Sequence, residues 1–540
     1  MPYHKLLFTV FQFFSLVAAA QNDQPKWYSY KNLSGGIETN NQYYFENKKS
    51  GITLPSKRFA SNTYLNLNYN FKFIEAGVQF ESYNPVLQGY PVQYDGSKIV
   101  HGFVRFKSKI AEITAGTFYD QFGAGYVFRA FEERQLGIDN TILGGHLKLN
   151  PTKGVRIKSF AGRQRNFMDL SPARLIAGAD AEVDILHIQK ENNTTLLTIG
   201  ASYVTKRQEV DVPLPNFPEM VNAAGGRINF SRNNYAATIE YVNKSIEPDF
   251  QNKYIYKKGS AFLLNQSITT KKGLGINLSL RRLENMDFKS DHATTEAVAS
   301  LNYLPALTKQ HSYMVANIYP HNTQWLQEIG GQADINYHFA KNSSIGGKYG
   351  AKLVFNISLY NSLDTTKLAG NKGFSSKAVA FGKQKYFRDI NISFEKRWTE
   401  KMKGTFSYIH LFYNKELLQG GPYGTVDADI AVADLLFKLN EEQSLRTEVQ
   451  HLFTKNDEKN WYALLAEYSF SNGLVFYASN LSNYQSKKIN YFNFGTSYNH
   501  NAIRLGLSYA KQRGGLICVG GICRFVPTYL GFTGTFAYNF

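Results

Sequence analysis

Apolar and polar residues alternate along most of the chain with a period of two. Leu65, Leu67, Tyr69 and Phe71 alternate with Asn66, Asn68 and Asn70, and Ile74, Ala76, Val78 and Phe80 alternate with Glu75, Gly77, Gln79 and Glu81. The pattern returns at Tyr462, Leu464, Ala466, Tyr468 and Phe470, and again at Ile503, Leu505, Leu507 and Tyr509. Successive side chains of a strand point to opposite faces, so each run predicts a strand with one apolar and one polar face. The last residues, FTGTFAYNF, repeat it, with Phe532, Phe536, Tyr538 and Phe540 opposed to Thr533, Thr535, Ala537 and Asn539.

Such strands suit a wall with lipid outside and water inside, although a soluble sandwich alternates in the same way. The spacing between strands separates the two. Counted back from Phe540, short connections fall near 499–501, 471–473, 441–442, 399–401, 341–349, 305–309, 268–272, 231–232, 189–193, 151–153, 108–109 and 72. The intervening connections are mostly longer, among them 85–96, 120–139, 205–218, 361–386, 413–427 and 513–524. Short turns on one side and long loops on the other are the signature of a transmembrane barrel. The chain is therefore predicted to be all-β, a single antiparallel barrel of about 26 strands (range 24–26), with both termini periplasmic.

The two ends of the chain agree with export. Residues 1–20 carry Lys5, an apolar run over 6–17 and Ala18-Ala19-Ala20, the pattern of a cleavable secretory signal peptide. The run is too short to span a bilayer, which takes about 20 apolar residues. Residues 21–540 then form the barrel, with 21–32 a short periplasmic segment too small for a separate plug domain. The closing Phe536, Tyr538 and Phe540 resemble the aromatic terminal strand of bacterial outer-membrane barrels, which the insertion machinery reads.

Composition narrows the class. Mean hydropathy is −0.34 while Phe and Tyr number 40 and 36 in 540 residues. Aromatic girdles with a polar lumen give that combination, and helical spans do not. Formal net charge is +18. In an outer-membrane wall the excess points to lipopolysaccharide phosphates or an anion-biased lumen rather than to nucleic acid. Adjacent Arg281 and Arg282 cannot both face the lumen.

A barrel this wide needs something in its lumen. The 120–140 segment is long, starts Gly-rich, and sets Arg129, Glu132, Glu133 and Arg134 among aromatics. Folded inward, those charges would line a constriction; otherwise the segment is an extended hairpin tip. Segments 361–386 and 413–427 are further candidates for inward folding. Cys518 and Cys523, the only cysteines, flank a Gly-Gly pair in the last long loop and predict a disulfide in an exported chain. Two thiols without neighbouring His fall short of a metal site. No enzyme signature of local spacing is present, so neither catalysis nor a cofactor is expected; His410 and His451, within strands, are candidates for the lumen face.

The strings LSGGIETNNQYYF, FYDQFGAGYVFRAFEERQLGIDN, IAGADAEVD and GGLICVGGICRFVP resemble, as a set, a family of outer-membrane barrels from Bacteroidota. The resemblance implies a Gram-negative outer-membrane location and a barrel, and carries no substrate or catalytic residues. Two functions follow as expectations. One is a porin-like channel or transporter, anion-biased; the other is a component of an outer-membrane assembly whose lumen is filled by loops or a protein partner.

Overall fold

The short connections set the register of the whole wall. Phe71 and Ile74 are joined by two residues, with Lys72 at φ 53°, and Thr152 and Val155 by two, with Gly154 at φ 79°. Positive φ at tight turns matches the twist of the strands they join. The register then keeps like faces together: Leu65 lies opposite Phe80 and Leu67 opposite Val78, while Asn66 meets Gln79 on the other face.

The computed structural model describes residues 28–47, 52, 54–170, 175–186, 194–208, 215–295 and 297–540. The proposed leader, most of 21–32 and the turn expected near 189–193 lie wholly or largely outside them. Among the described residues, 25 strands form one antiparallel sheet, 24 of them closing into a barrel. The first strand, Leu33–Tyr44, pairs with Phe59–Phe71 and with the last, Tyr529–Asn539, placing Ile37 opposite Tyr538. Phe540 still donates its N–H to the Gly35 carbonyl at 2.9 Å, so the seam is paired to the end of the chain. The extra strand, Asp169–Leu170, only prolongs the hairpin end of Val155–Asn166. A short helix, Lys415–Gln419, stands at the long-loop end, and among the described residues no helix is long and apolar enough to cross a membrane.

The barrel has 24 strands, the lower end of the expected range. The difference from 26 lies in 285–326, where among the described residues no strand interrupts the run from Glu284 to Gln327. The expected turn at 305–309 is instead part of one long segment. Pro305 and Pro320 supply no N–H to a ladder, and Val298, Leu301, Val315 and Ile318 are all buried rather than one-sided.

A second correction concerns 361–386. It does not fold inward but continues two wall strands, Ala351–Lys367 and Phe374–Arg397, as a tall hairpin. Its register slips, with Tyr360 opposite Phe387 but Leu363 opposite Phe381 and Thr365 opposite Ser376. The unmatched residues bulge and bend the hairpin, and its tip leans sideways until Ser376 Oγ donates to Glu284 at 2.8 Å.

The outward face is apolar and bare. Val78, Ile228, Ile239, Leu464, Leu505 and Leu507 are all exposed. His410 and His451 join this face: Ile409 and Leu411, flanking His410, are the buried inward residues, and His451 lies opposite outward Tyr462. His410 bonds Asp429 at 3.0 Å and His451 bonds the Tyr484 hydroxyl at 3.0 Å, so neither occupies the lumen. Arg281 and Arg282 divide as alternation requires, the first inward and fully buried, the second outward.

Candidate functional site

The lumen has two tiers, written into single strands. In Met220–Arg232 the inward positions run from Val221 and Ala223 at the long-loop end to Arg227 lower down. In Thr425–Lys438 they run from Val426, Ala428, Ile430 and Val432 to Asp434. On these strands the upper tier is an apolar face inside the barrel, which water would not wet favourably, and the chain covers it with its own segments.

The 119–141 loop enters first. Gly123 sits at φ 51°, and a Cβ there would come within 2.6 Å of a Glu240 carboxylate oxygen. Without that Cβ, the same carboxylate accepts the Ala124 N–H at 2.8 Å. Phe122 before Gly123 and Val127 and Phe128 after it have no exposed surface and share a core with Ile142, Phe160, Ile176, Val204 and Val242 of the wall. At its root Asp120 accepts from His146 at 2.7 Å and Lys158 at 2.8 Å. Burial would raise the Asp120 carboxyl, but those bonds outweigh it and hold it at about 2.

The 285–326 segment crosses the lumen. Met286, Phe288 and Leu301 belong to the same core as the 119–141 loop, whereas Val315, Ala316, Ile318 and Tyr319 pack with Ile409, Leu411, Ile430, Leu452 and Trp461 on another part of the wall. Backbone bonds tie the two segments together, Arg129 N–H to Leu301 O at 2.8 Å and Tyr303 N–H to Gly125 O at 2.9 Å. Wall anchors complete the crossing: His311 meets Asp389 at 2.6 Å, Val315 N–H donates to Gln450 at 3.1 Å, and Tyr360 donates to Leu307 O at 2.6 Å. Of the 413–427 candidate, Leu418 joins this core and its carbonyl accepts from Asn322 at 3.0 Å.

The disulfide hairpin rests on the crossing segment. Cys518 and Cys523 are bonded within the paired strands Gly515–Val519 and Ile522–Val526. Gly520 O accepts the Ala306 N–H at 3.0 Å, and Arg524 donates to Gly89 O at 2.7 Å while stacking over Tyr90.

Arg129, Glu132, Glu133 and Arg134, the charges expected to line a constriction, all lie within this plug. Arg129 stacks over Tyr303, 4.0 Å from the ring centroid, and over Phe131 at 4.8 Å. Glu132 pairs with Arg134 at 2.8 Å, and Arg134 reaches Glu38 on the first strand at 2.7 Å. Glu133 accepts the Gln135 N–H at 3.1 Å. Phe536 and Tyr538 lie on the outer face of the closing strand, and Phe540 is 46% exposed.

Among the described residues one group has metal-ligand character, the buried Glu81, His101 and Asp139. Arg165 lies among them, its guanidinium bonded to both Glu81 and Asp139 and 3.3 Å from His101 Nε2. A cation in that position makes the cluster an ion-pair anchor for the loop rather than a metal centre. Burial would raise Asp139, but Arg165 foremost draws it down to about 2.

Below the plug the inward charges pair with one another: Arg227 with Asp180 at 2.8 Å, Lys107 with Glu75 at 2.6 Å, Arg446 with Asp434 at 3.0 Å. Sequence reasoning missed the apolar upper tier and the 285–326 segment. The available signal was an apolar set on the face that carries acids or amides elsewhere in the wall, as at Val426, Ala428, Ile430 and Val432, with Asp427 and Asp429 on the opposite face.

The class so defined is a wide antiparallel barrel closed on itself and occluded from within by its own loops. The chain belongs to the family of unknown function DUF6029, whose model matches residues 3–540. No curated protein matches its sequence. Solved structures with a similar fold include the siderophore receptor PirA from Pseudomonas aeruginosa, with 9% identity over 96% of this chain and 82% of that one, TM-score 0.45. A P pilus tip assembly intermediate from E. coli containing PapC matches at 11% identity over 97% and 62%, TM-score 0.49. The outer-membrane protein opdK from Pseudomonas aeruginosa matches at 10% over 94% and 99%, TM-score 0.36.

Proposed function

We propose that the chain is an outer-membrane transport barrel that rests closed, passage requiring displacement of the plug. The observation that carries this reading is the 285–326 segment, whose apolar residues pack on two separate parts of the wall and so bar the lumen. The bare apolar exterior, with Leu505 and Leu507 among its exposed residues, supports a bilayer setting. In that setting the long loops face outward, both termini lie in the periplasm, and Phe536, Tyr538 and Phe540 engage the insertion machinery. Lower-tier cations are largely paired, so an anion preference would come from the lysine-bearing loops. No catalytic step, cofactor or metal enters the reading.

A second reading, a component of an outer-membrane protein assembly, is favoured by the dryness of the plug–wall contact, where Phe122, Val221 and Val242 have no exposed surface. Planar-bilayer recording separates the two. The transport reading expects the wild-type barrel to be silent and a variant with 287–324 replaced by a short Gly-Ser linker to conduct. Silence of both, with a second protein co-purifying in stoichiometric amount, would overturn transport in favour of assembly.

A further inference from the structure

The tall hairpin that leans along the rim leaves a groove on the outer wall. The cavity measures about 830 Å³ and lies between the hairpin and the outward faces of Gly259–Thr269, Leu274–Glu284, Gln327–Phe339 and Ala351–Lys367. Its floor carries the small residues Gly331 and Ala333, flanked by Phe262 and Leu359, with Val379 and Phe381 on the hairpin side. Val379 is 87% exposed and Phe381 60%, a cost in water that apolar cover would remove.

Charge lies at one end of this groove, where Arg282 and Glu284 are among the lining residues. Arg282 and Lys257 both pair with Glu284, each at 2.7 Å, so two cations share one carboxylate. Arg282 Nε is buried and has no hydrogen-bond acceptor. The 361–386 segment itself carries Lys367, Lys372, Lys377, Lys383 and Lys385 against the single acid Asp364. An apolar slot continuous with the lipid-facing wall, lined at one end by Arg282 with its unmet donor and belonging to a lysine-rich hairpin, matches one ligand chemistry: an acyl chain bearing an anionic headgroup.

We propose that this groove is a specific site for a phosphorylated membrane lipid, its acyl chain lying over Ala333 beneath Val379 and Phe381. The phosphate is taken by Arg282 and the hairpin lysines. The proposal rests on the membrane placement of the barrel and adds to it a defined lipid site, distinct from the general lipid coat.

Native mass spectrometry of the full-length chain, purified from membranes in mild detergent, tests it. The wild type is expected to retain one phosphorylated lipid per chain. Ala333→Leu, which fills the floor, and Val379→Asp, which charges the hairpin side, are expected to lower retention at least tenfold. Arg282→Gln is expected to shift whatever remains toward uncharged lipids. Heat-modifiable gel migration verifies that each barrel is folded; Val379 and Arg282 face outward, so their variants serve if Ala333→Leu does not fold. A folded wild type without retained lipid, or folded variants retaining it as the wild type does, would overturn the site while leaving the membrane placement intact. A chain absent from the membrane fraction would overturn the placement itself.

Discussion

The carboxylate of Asp120, where the chain leaves the wall for the lumen, lies 2.7 Å from His146 Nε2 on the adjoining strand. Both side chains are nearly inaccessible to water, and Lys158 closes the same carboxylate from another side at 2.8 Å. The inserted loop is thus pinned at its entrance by a buried charge with partners in the wall.

Removing His146 deprives the buried carboxylate of one hydrogen bond while Lys158 remains, and a hydrogen bond to a charged group is worth about 1.5–3 kcal/mol. His146→Leu is expected to lower the opening free energy of 119–141 by an amount of that order, read by hydrogen exchange of the loop amides, with the barrel strands unaffected. The pH dependence has a definite sign. The Asp120 carboxyl sits at about 2, below its usual value of 3.8. Its stabilisation is therefore full above pH about 4 and is lost as pH falls through about 2. Loop protection in the wild type should decline over that window, and less so in Asp120→Asn.

Asp249, in the loop between Tyr235–Lys244 and Gly259–Thr269, has the opposite sign. Burial foremost, and then the neighbouring Asp287 carboxylate, raise it to about 7. Its Oδ2 is buried without a hydrogen-bond partner. The folded loop therefore holds a proton that the unfolded chain releases near pH 4, and stability drops as pH rises from there through 7. Asp249→Asn should strengthen protection of 246–256 above pH 7 and make it flat with pH, and equal exchange of the two proteins at pH 8 would contradict this.

Leu301 has no exposed surface and lies in the core shared by the inserted loop and the crossing segment. Truncation of a buried Leu costs about 2–5 kcal/mol. Leu301→Ala is expected to loosen the plug without unfolding the wall, so bilayer recordings should show rare openings absent from the wild type. A charge there, Leu301→Asp, should raise their frequency further, and a silent Leu301→Asp barrel that is folded would argue against displacement of this segment as the gate.

The wall was far more legible than the plug. Period-two runs such as Leu65 to Phe71 report a strand because one face meets lipid and the other water, and their registers follow the alternation residue by residue. The crossing segment has no such asymmetry. Val298, Leu301, Val315 and Ile318 meet protein on every side, and short apolar runs bounded by turn residues are compatible with buried strands as well as irregular chain. Pro305 and Pro320 were the discriminating residues. The 361–386 hairpin was misplaced for a related reason: exposed Val379 and Phe381 invite burial somewhere, and a lumen and a lipid-facing groove ask for the same composition. Of the candidate site, the inward fold of 119–141 was an open alternative in the sequence, but its partners Glu240 and His146 come from strands fixed only by barrel closure.

The Cys518–Cys523 bond joins two short paired strands that rest on the crossing segment through Gly520 and Ala306. A ring this small removes limited chain entropy, on the order of 2 kcal/mol by the loop-closure relation. Its effect should be local, because the hairpin touches the plug and the loops above it rather than the wall ladder. Iodoacetamide is expected to label the intact protein only after reduction. The Cys518→Ser, Cys523→Ser double variant should keep the wild-type unfolding midpoint of the barrel yet increase protease cleavage within 515–526 and exchange at the Ala306 amide, whose acceptor is the Gly520 carbonyl. A lowered barrel midpoint would instead mean that the hairpin, through Arg524 and its bonds to Gly89 and Gln135, carries the closure of the long-loop end as a whole.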